Sequence, residues 1–244
     1  MTLAHDVHGS GPEVLLLHST VGDRRMWDPQ IGRLGARRVI RCDLPGYGES
    51  PVAAEPADVA ALVLELAGPQ PVALIGSSGG GQVALEIAAR WPARVRGLAL
   101  LCAAAPSLEP SPRLRAMWEQ EETLLEAGDV EAATELMVRS WVGPRATGET
   151  RALVRRMQQH AYEVQLAAAD VDDLDTGWSV DTVAAPVLLV TGAHDLPDFH
   201  DVAAGLAARL PRARHVELDW AGHLPSLEDP EPVNRLLRDF LDSV

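Results

Sequence analysis

The stretch Gly76-Ser77-Ser78-Gly79-Gly80 carries the clearest chemistry in the chain. It lies between an apolar run, Pro71-Val72-Ala73-Leu74-Ile75, and a helical stretch from Gly81 to Arg90. A serine on a sharp turn from a buried strand into a helix has a strained backbone that lifts its hydroxyl out of the sheet, where it can attack an electrophile. Strand and helix pass closely there, so the positions two before and two after must be tiny. Ser78 meets that condition with Gly76 and Gly80, whereas Ser77 would put the bulky Ile75 into the crowded turn. A rival pattern, Gly79-x-Gly81-x-x-Ala84, has the spacing of a dinucleotide-binding turn. The next strand, Gly97 to Ala105, ends without an acid to hold a ribose, and no Lys-Ser/Thr pair follows the glycines to form a phosphate loop.

A neutral serine is a poor nucleophile until an imidazole takes its proton. That imidazole in turn needs a carboxylate to fix its tautomer and stabilise its charged form. In an open parallel sheet these partners belong at the carboxyl ends of later strands, the edge that carries the crevice. Asp195 follows the strand ending Val190-Thr191-Gly192, and His223 follows the next strand, in Trp220-Ala221-Gly222-His223.

The elements that must position these residues alternate along the chain. Apolar strand patterns at Glu13 to His18, Arg38 to Cys42 and Pro71 to Ile75 are separated by helical patterns near Met26 to Leu34 and Ala57 to Ala67. Near-continuous apolar strands split by helices predict a parallel sheet covered on both faces. After Ala105 the rhythm changes to three helical patterns near 111–127, 129–142 and 148–169, broken by Gly128, Gly143, Pro144 and Gly148. The sheet pattern resumes at Pro186 to Gly192 and Ala213 to Leu218, with helices over Phe199 to Leu210 and Glu231 to Leu241.

Composition narrows the partners. A formal charge of -14 over 244 residues disfavours nucleic acid and anionic membranes, which the long-range field repels, and points to a small-molecule substrate. Neither a signal-peptide pattern nor a membrane-length apolar run is present, so the expectation is a soluble, cytoplasmic protein; its oligomeric state is open. Cys42 and Cys102 each fall in a predicted strand and read as small buried hydrophobes, consistent with a reducing compartment. The chain has no lysine, which removes Schiff-base chemistry.

Taken together, Leu15-Leu16-Leu17-His18, Asp43-Leu44-Pro45-Gly46-Tyr47-Gly48-Glu49-Ser50, the Ser78 elbow, Gly192-Ala193-His194-Asp195 and Gly222-His223 resemble, in order, the landmarks of the α/β-hydrolase superfamily. The resemblance implies an α/β-hydrolase fold, a mostly parallel doubly wound sheet with a helical cap inserted after the sixth strand. Residues 1–106 and 184–244 would form the core and 107–183 the cap. The short cap and Arg25-Met26-Trp27-Asp28-Pro29-Gln30 are most similar to the esterase and enol-lactonase-like branch. The order Ser, Asp, His suits this family, and Asp195 takes the acid's role because the earlier strand that carries it in some members ends here in Ala103-Ala104-Ala105.

The resemblance also implies an oxyanion hole from the backbone amides of Gly79 and Thr20. Where the family usually has glycine after His18, this chain has Ser19; either the loop avoids a glycine-only conformation or the hydroxyl joins the hole. The expected activity is hydrolysis of a small, mainly hydrophobic ester or lactone through an acyl-enzyme, with no cofactor and no metal. A carbon-carbon bond hydrolase, a lyase or cyclase on the same triad, and a ligand-binding protein without turnover stay open as alternatives.

The remaining polar residues have plainer readings. His18 at a strand end reads as a hydrogen-bonded structural residue and His194 as a surface one, and His5, His8, His160, His200 and His215 lack paired ligand spacing. The acidic group Asp170, Asp172, Asp173 and Asp175 lacks the spacing of a calcium loop. On the cap helices Trp118 and Trp141 are the candidate substrate contacts. Arg113, Arg139, Arg155 and Arg156 could anchor a carboxylate, although arginines on amphipathic helices usually face water.

Overall fold

Among the described residues, seven strands form one sheet in the order β1-β3-β2-β4-β5-β6-β7. They are β1 His5–His8, β2 Glu13–Leu17, β3 Arg38–Cys42, β4 Val72–Ser77, β5 Val95–Leu101, β6 Val187–Gly192 and β7 Ala213–Leu218. The computed structural model describes residues 1–244 apart from Asp170 and Asp173, so those two members of the acidic group lie outside the described residues. Among the described residues only β1 runs antiparallel, paired with β3, and every other pairing is parallel. The sequence pattern misses β1 because its His-Asp-Val-His run lies at the sheet edge, half exposed, with no apolar face to betray it.

Inside the sheet the side chains alternate with the period of two that a strand imposes. Val14, Leu16, Ala73, Ile75, Ala99, Leu101, Leu188 and Val190 pack with Trp27 and with Val233, Leu237 and Phe240 of a C-terminal helix, α8 (Pro230–Asp242, the last of eight). Leu15, Leu17, Leu74, Leu98, Leu100, Val187 and Leu189 face the opposite way. There they meet helices α1 (Val59–Leu64), α2 (Gly79–Arg90) and α6 (Pro197–Arg209). Strands buried on both faces explain the near-continuous apolar runs.

Between β5 and β6 stand α3 (Pro112–Glu126), α4 (Val130–Trp141) and α5 (Gly148–Leu166), each within a few residues of its predicted limits. Side-chain caps account for those limits: Ser111, Asp129 and Thr147 accept from Leu114, Ala132 and Thr150 amides. These helices follow the fifth strand of this chain, where the resemblance counts six, because β1 alone occupies the antiparallel edge among the described residues. The helix expected near Met26 to Leu34 is a 3-10 segment, Arg24–Gln30, with Pro29 inside it. Among the described residues no helix is long and apolar enough to cross a membrane.

The switch in strand order lies at β2, which pairs with β3 on one side and β4 on the other. A crevice opens at such a point, at the carboxyl ends of the strands. Leu17 sits opposite Gly76, so the loop beginning at His18 emerges beside the Ser77–Gly79 turn. The packing there leaves no room for a methyl group. A Cβ on Gly80 would lie 2.3 Å from the His18 carbonyl oxygen, and one on Gly76 would lie 2.5 Å from the Gly80 oxygen. Gly205 in α6, by contrast, has open space around its missing Cβ. Gly80→Ala is therefore expected to lose more than the ~1–3 kcal/mol of ordinary overpacking, because the clash is with the Leu17 and His18 backbone, which cannot swing aside as a side chain can. Gly205→Ala should gain roughly 0.5–1 kcal/mol from lowered chain entropy. Thermal melts of the two variants against the parent would show opposite shifts if the packing is as described.

Candidate active site

Ser78 sits at φ 52° and ψ -120°, a strained conformation for a residue with a side chain. Four backbone hydrogen bonds hold it there: its N–H donates to the Leu101 carbonyl at 3.0 Å, and its own carbonyl accepts from the amides of Gly81 at 2.9 Å, Ala104 at 3.0 Å and Gln82 at 3.3 Å. Ser77 is fully buried and its hydroxyl has no partner, whereas Ser78 retains a sliver of exposure. The turn thus presents Ser78, in the register that the flanking glycines demand.

Asp195 and His223 meet across the adjacent ends of β6 and β7. The His223 Nδ1–H donates to Asp195 Oδ2 at 2.8 Å, and both side chains are almost wholly buried. The other carboxylate oxygen of Asp195 accepts from the Leu196 amide at 2.7 Å. With its proton on Nδ1, the ring leaves Nε2 free to accept another. Trp141 and Phe199 both pack on the imidazole, with ring centroids 4.4 Å away, which limits how far it can tilt. Cys102, at φ 45°, closes the group from the end of β5, its Sγ 3.6 Å from the Gly222 carbonyl. Burial raises its thiol well above the usual range, and the Asp195 charge raises it further, so it stays neutral.

The loop after β2 is built around a neutral histidine. His18 Nε2 accepts from the Leu44 amide at 2.8 Å and Nδ1 pairs with the Ser19 carbonyl at 2.9 Å, so both nitrogens are used and the ring is structural. Ser19 is absent from the residues at positive φ, and its hydroxyl accepts from the Val21 amide at 3.4 Å. The loop thus avoids a glycine-only conformation, the first of the two alternatives. A Cβ on Gly79 would come within 2.7 Å of Thr20 Cγ2, which places these two residues side by side. Asp43 orders the neighbouring loop through the Arg24 and Glu49 amides, at 2.8 and 2.9 Å.

The two cap tryptophans separate. Trp141 lies on His223. Trp118 is 41% exposed and takes no part in the aromatic group, a correction with a simple cause: α3 turns Leu114 and Met117 inward, and the next position points about 100° away. His194 is exposed as expected, and His160, His200 and His215 each bond a separate carbonyl or hydroxyl.

Glu228 is the residue that motif reading missed. It ends a short helix, α7 (Pro225–Glu228), and its buried carboxylate accepts from the Gly222 amide at 2.8 Å and the Leu224 amide at 3.0 Å, the two neighbours of His223. The clamp holds the backbone on both sides of the imidazole. The signal available was a carboxylate five residues beyond a candidate histidine, after a proline at a helix start, and it is not specific without the fold.

The alpha/beta hydrolase family profile matches residues 14–236, nearly the whole of this architecture. The chain belongs to the alpha/beta hydrolase family. Among curated relatives of this hydrolase, the pimeloyl-(acyl-carrier protein) methyl ester esterase of Methylococcus capsulatus is 31% identical, with 100% of both chains covered. A candidate carbamate hydrolase, RutD, of Azorhizobium caulinodans is 28% identical over 99% of this chain and 96% of its own. The enol-lactonase of Burkholderia xenovorans LB400 superposes with a TM-score of 0.78 at 24% identity, covering 98% of this chain and 96% of its own, a likeness of fold.

Two outcomes follow from the buried polar groups around the hydrolase's site. Glu228→Gln puts an amide N–H against one of the two backbone donors and should lower kcat by about 10²-fold through displacement of His223, with KM changed far less. Steady-state kinetics separates the two constants. Burial also holds the His18 imidazole below its ordinary range, ahead of the opposing Ser19 carbonyl and the Asp43 and Asp23 charges. The unfolded chain, titrating near ~6.5, then binds the extra proton first. Stability from this group is present above that pH and is lost as pH falls toward the folded value. His18→Gln, which keeps an acceptor for Leu44, should make Tm fall less between about pH 7 and 5 than in the parent.

Proposed function

We propose that this hydrolase is a cap-bearing serine esterase or lactonase that cleaves a small, mainly apolar substrate through an acyl-enzyme. The observation that carries the reading is the buried His223–Asp195 pair at 2.8 Å, set on the same sheet edge as the strained Ser78 turn. In this mechanism His223 Nε2 takes the Ser78 hydroxyl proton as Oγ attacks the carbonyl carbon, and Asp195 stabilises the imidazolium without taking its proton. The carbonyl oxygen becomes an oxyanion held by the amides of Gly79 and Thr20. Collapse breaks the ester bond, and His223 gives its proton to the leaving alkoxide. Water then repeats the sequence on the acyl-enzyme, with the proton passing through His223 back to Ser78.

In the same reading residues 107–183 act as a cap that shapes the pocket and supplies no catalytic group, with Trp141 as its contact nearest the chemistry. Aromatic packing on His223 supports this role for Trp141. Ester-cleaving relatives support the reaction class and leave the substrate open.

A fluorophosphonate probe with a panel of p-nitrophenyl esters and lactones tests the reading. Ser78→Ala should abolish labelling and cut turnover by on the order of 10⁴- to 10⁶-fold, while Ser77→Ala keeps most activity. Asp195→Asn should cost about 10³- to 10⁴-fold by favouring the wrong imidazole tautomer. Asp198→Asn touches only the Ser111 cap of α3, whose amide and hydroxyl donate to Asp198 at 2.6 and 3.0 Å, and should cost far less. Activity surviving in Ser78→Ala would sink the proposal.

A further inference from the structure

Four arginines from three helices converge on one cavity, although the chain as a whole carries a formal charge of -14. The cavity measures about 450 Å³, within the range of small-ligand sites, and it reaches His223 and Gly222. Arg113 comes from α3, Arg139 from α4, and Arg151 and Arg155 from α5. Two of the four are already engaged. Arg151 donates to the Val142 and Gly143 carbonyls at 3.3 and 2.7 Å, and Arg155 pairs with Glu135, the one acid in the lining. Arg113 and Arg139, both on the exposed rim, make no side-chain hydrogen bond among the described residues, and Arg139 lies near enough to Glu135 to help lower its carboxyl.

The lining carries four arginines and one acid, a local excess of positive charge on an otherwise acidic protein, and such clefts concentrate ions of the opposite sign. Guanidinium groups suit a carboxylate because their planar fork matches its two oxygens. Resting on the serine-hydrolase reading, we infer that the substrate is an ester or lactone with an apolar body and an anionic end, and that Arg113 and Arg139 hold that end as a carboxylate in this cavity. His223, the candidate base, forms part of the cavity wall, so a substrate held in the cavity borders the imidazole that serves Ser78 in this reading. The anchor determines specificity and leaves the acyl-transfer chemistry as derived above.

Two p-nitrophenyl esters of adipic acid test the inference on the full chain, alike except that the far carboxyl is free in one and methylated in the other. The parent should favour the free acid in kcat/KM by roughly 10- to 100-fold, the value of a charge-assisted contact. That ratio should shrink in about 0.5 M NaCl as the charges are screened. The double variant Arg113→Gln, Arg139→Gln should bring the ratio close to one. Arg115→Gln, on the same helix but bonded to the Pro110 carbonyl, should retain it. Equal rates for the two esters in the parent, or an equal fall on both in the double variant, would overturn the inference. Calorimetry with adipate gives a readout independent of turnover: binding should weaken about tenfold or more in the double variant, and absence of binding to the parent also overturns it. Adipate binding without fluorophosphonate labelling of Ser78 would instead remove the hydrolase reading and leave the anion site standing.

Discussion

Everything at the site depends on how closely two backbones approach at the β4–α2 turn. Gly80 lies so near the Leu17 and His18 carbonyls that no side chain fits, and Gly76 lies as near the backbone of Gly80 and Gly81. This contact brings α2 down onto the sheet, and a helix start in that place forces Ser78 into its positive φ. Such strain costs about 1–3 kcal/mol and survives only where the surroundings impose it. Here the surroundings are the Leu101 carbonyl and the Gly81 and Ala104 amides.

The same approach locates the loop after β2, since the carbonyl facing Gly80 belongs to His18. From there a chain of hydrogen bonds runs outward, buried from His18 to Leu44 and part-buried from Asp43 to the Arg24 and Glu49 amides. The candidate oxyanion loop is therefore held by hydrogen-bonded groups around the buried His18 and Asp43, as preorganised electrostatic stabilisation requires. On the other side of Ser78 the histidine is held three ways: by Asp195 through its ring nitrogen, by Glu228 through the flanking amides, and by Trp141 and Phe199 through packing. A carboxylate buried without a cation, as Glu228 is, must be satisfied by backbone donors, and it has two.

Those constraints also set where specificity can vary. The core strands are buried on both faces and tolerate little change, whereas the helices after β5 meet the candidate site through Trp141 at the end of α4. Trp141 closes α4 directly over His223, and Gly143, two residues later, lies so close to Glu228 and Gly222 that a side chain there would strike both. The helices can change their exposed faces, and with them the cavity lining, while that junction stays fixed.

The sequence by itself determined the core of the fold and the candidate triad, because both rest on local patterns. Strands buried on two faces must read as apolar runs, helices must show caps and breaks, and an elbow serine must carry glycines at fixed spacing, so Ser78, Asp195 and His223 could be named from types and order. Edge strand β1 escaped because half-exposed polar residues carry no such pattern. Only the tertiary structure decided the rest. Whether Ser19 needs a positive φ, that Trp118 points outward while Trp141 meets His223, and that Glu228 clamps the histidine loop all depend on what lies across the fold. So does the gathering of arginines 113, 139, 151 and 155: each alone looks like a solvated helix residue, and they become one cationic cavity because helix packing fixes their distances, which sequence spacing does not encode.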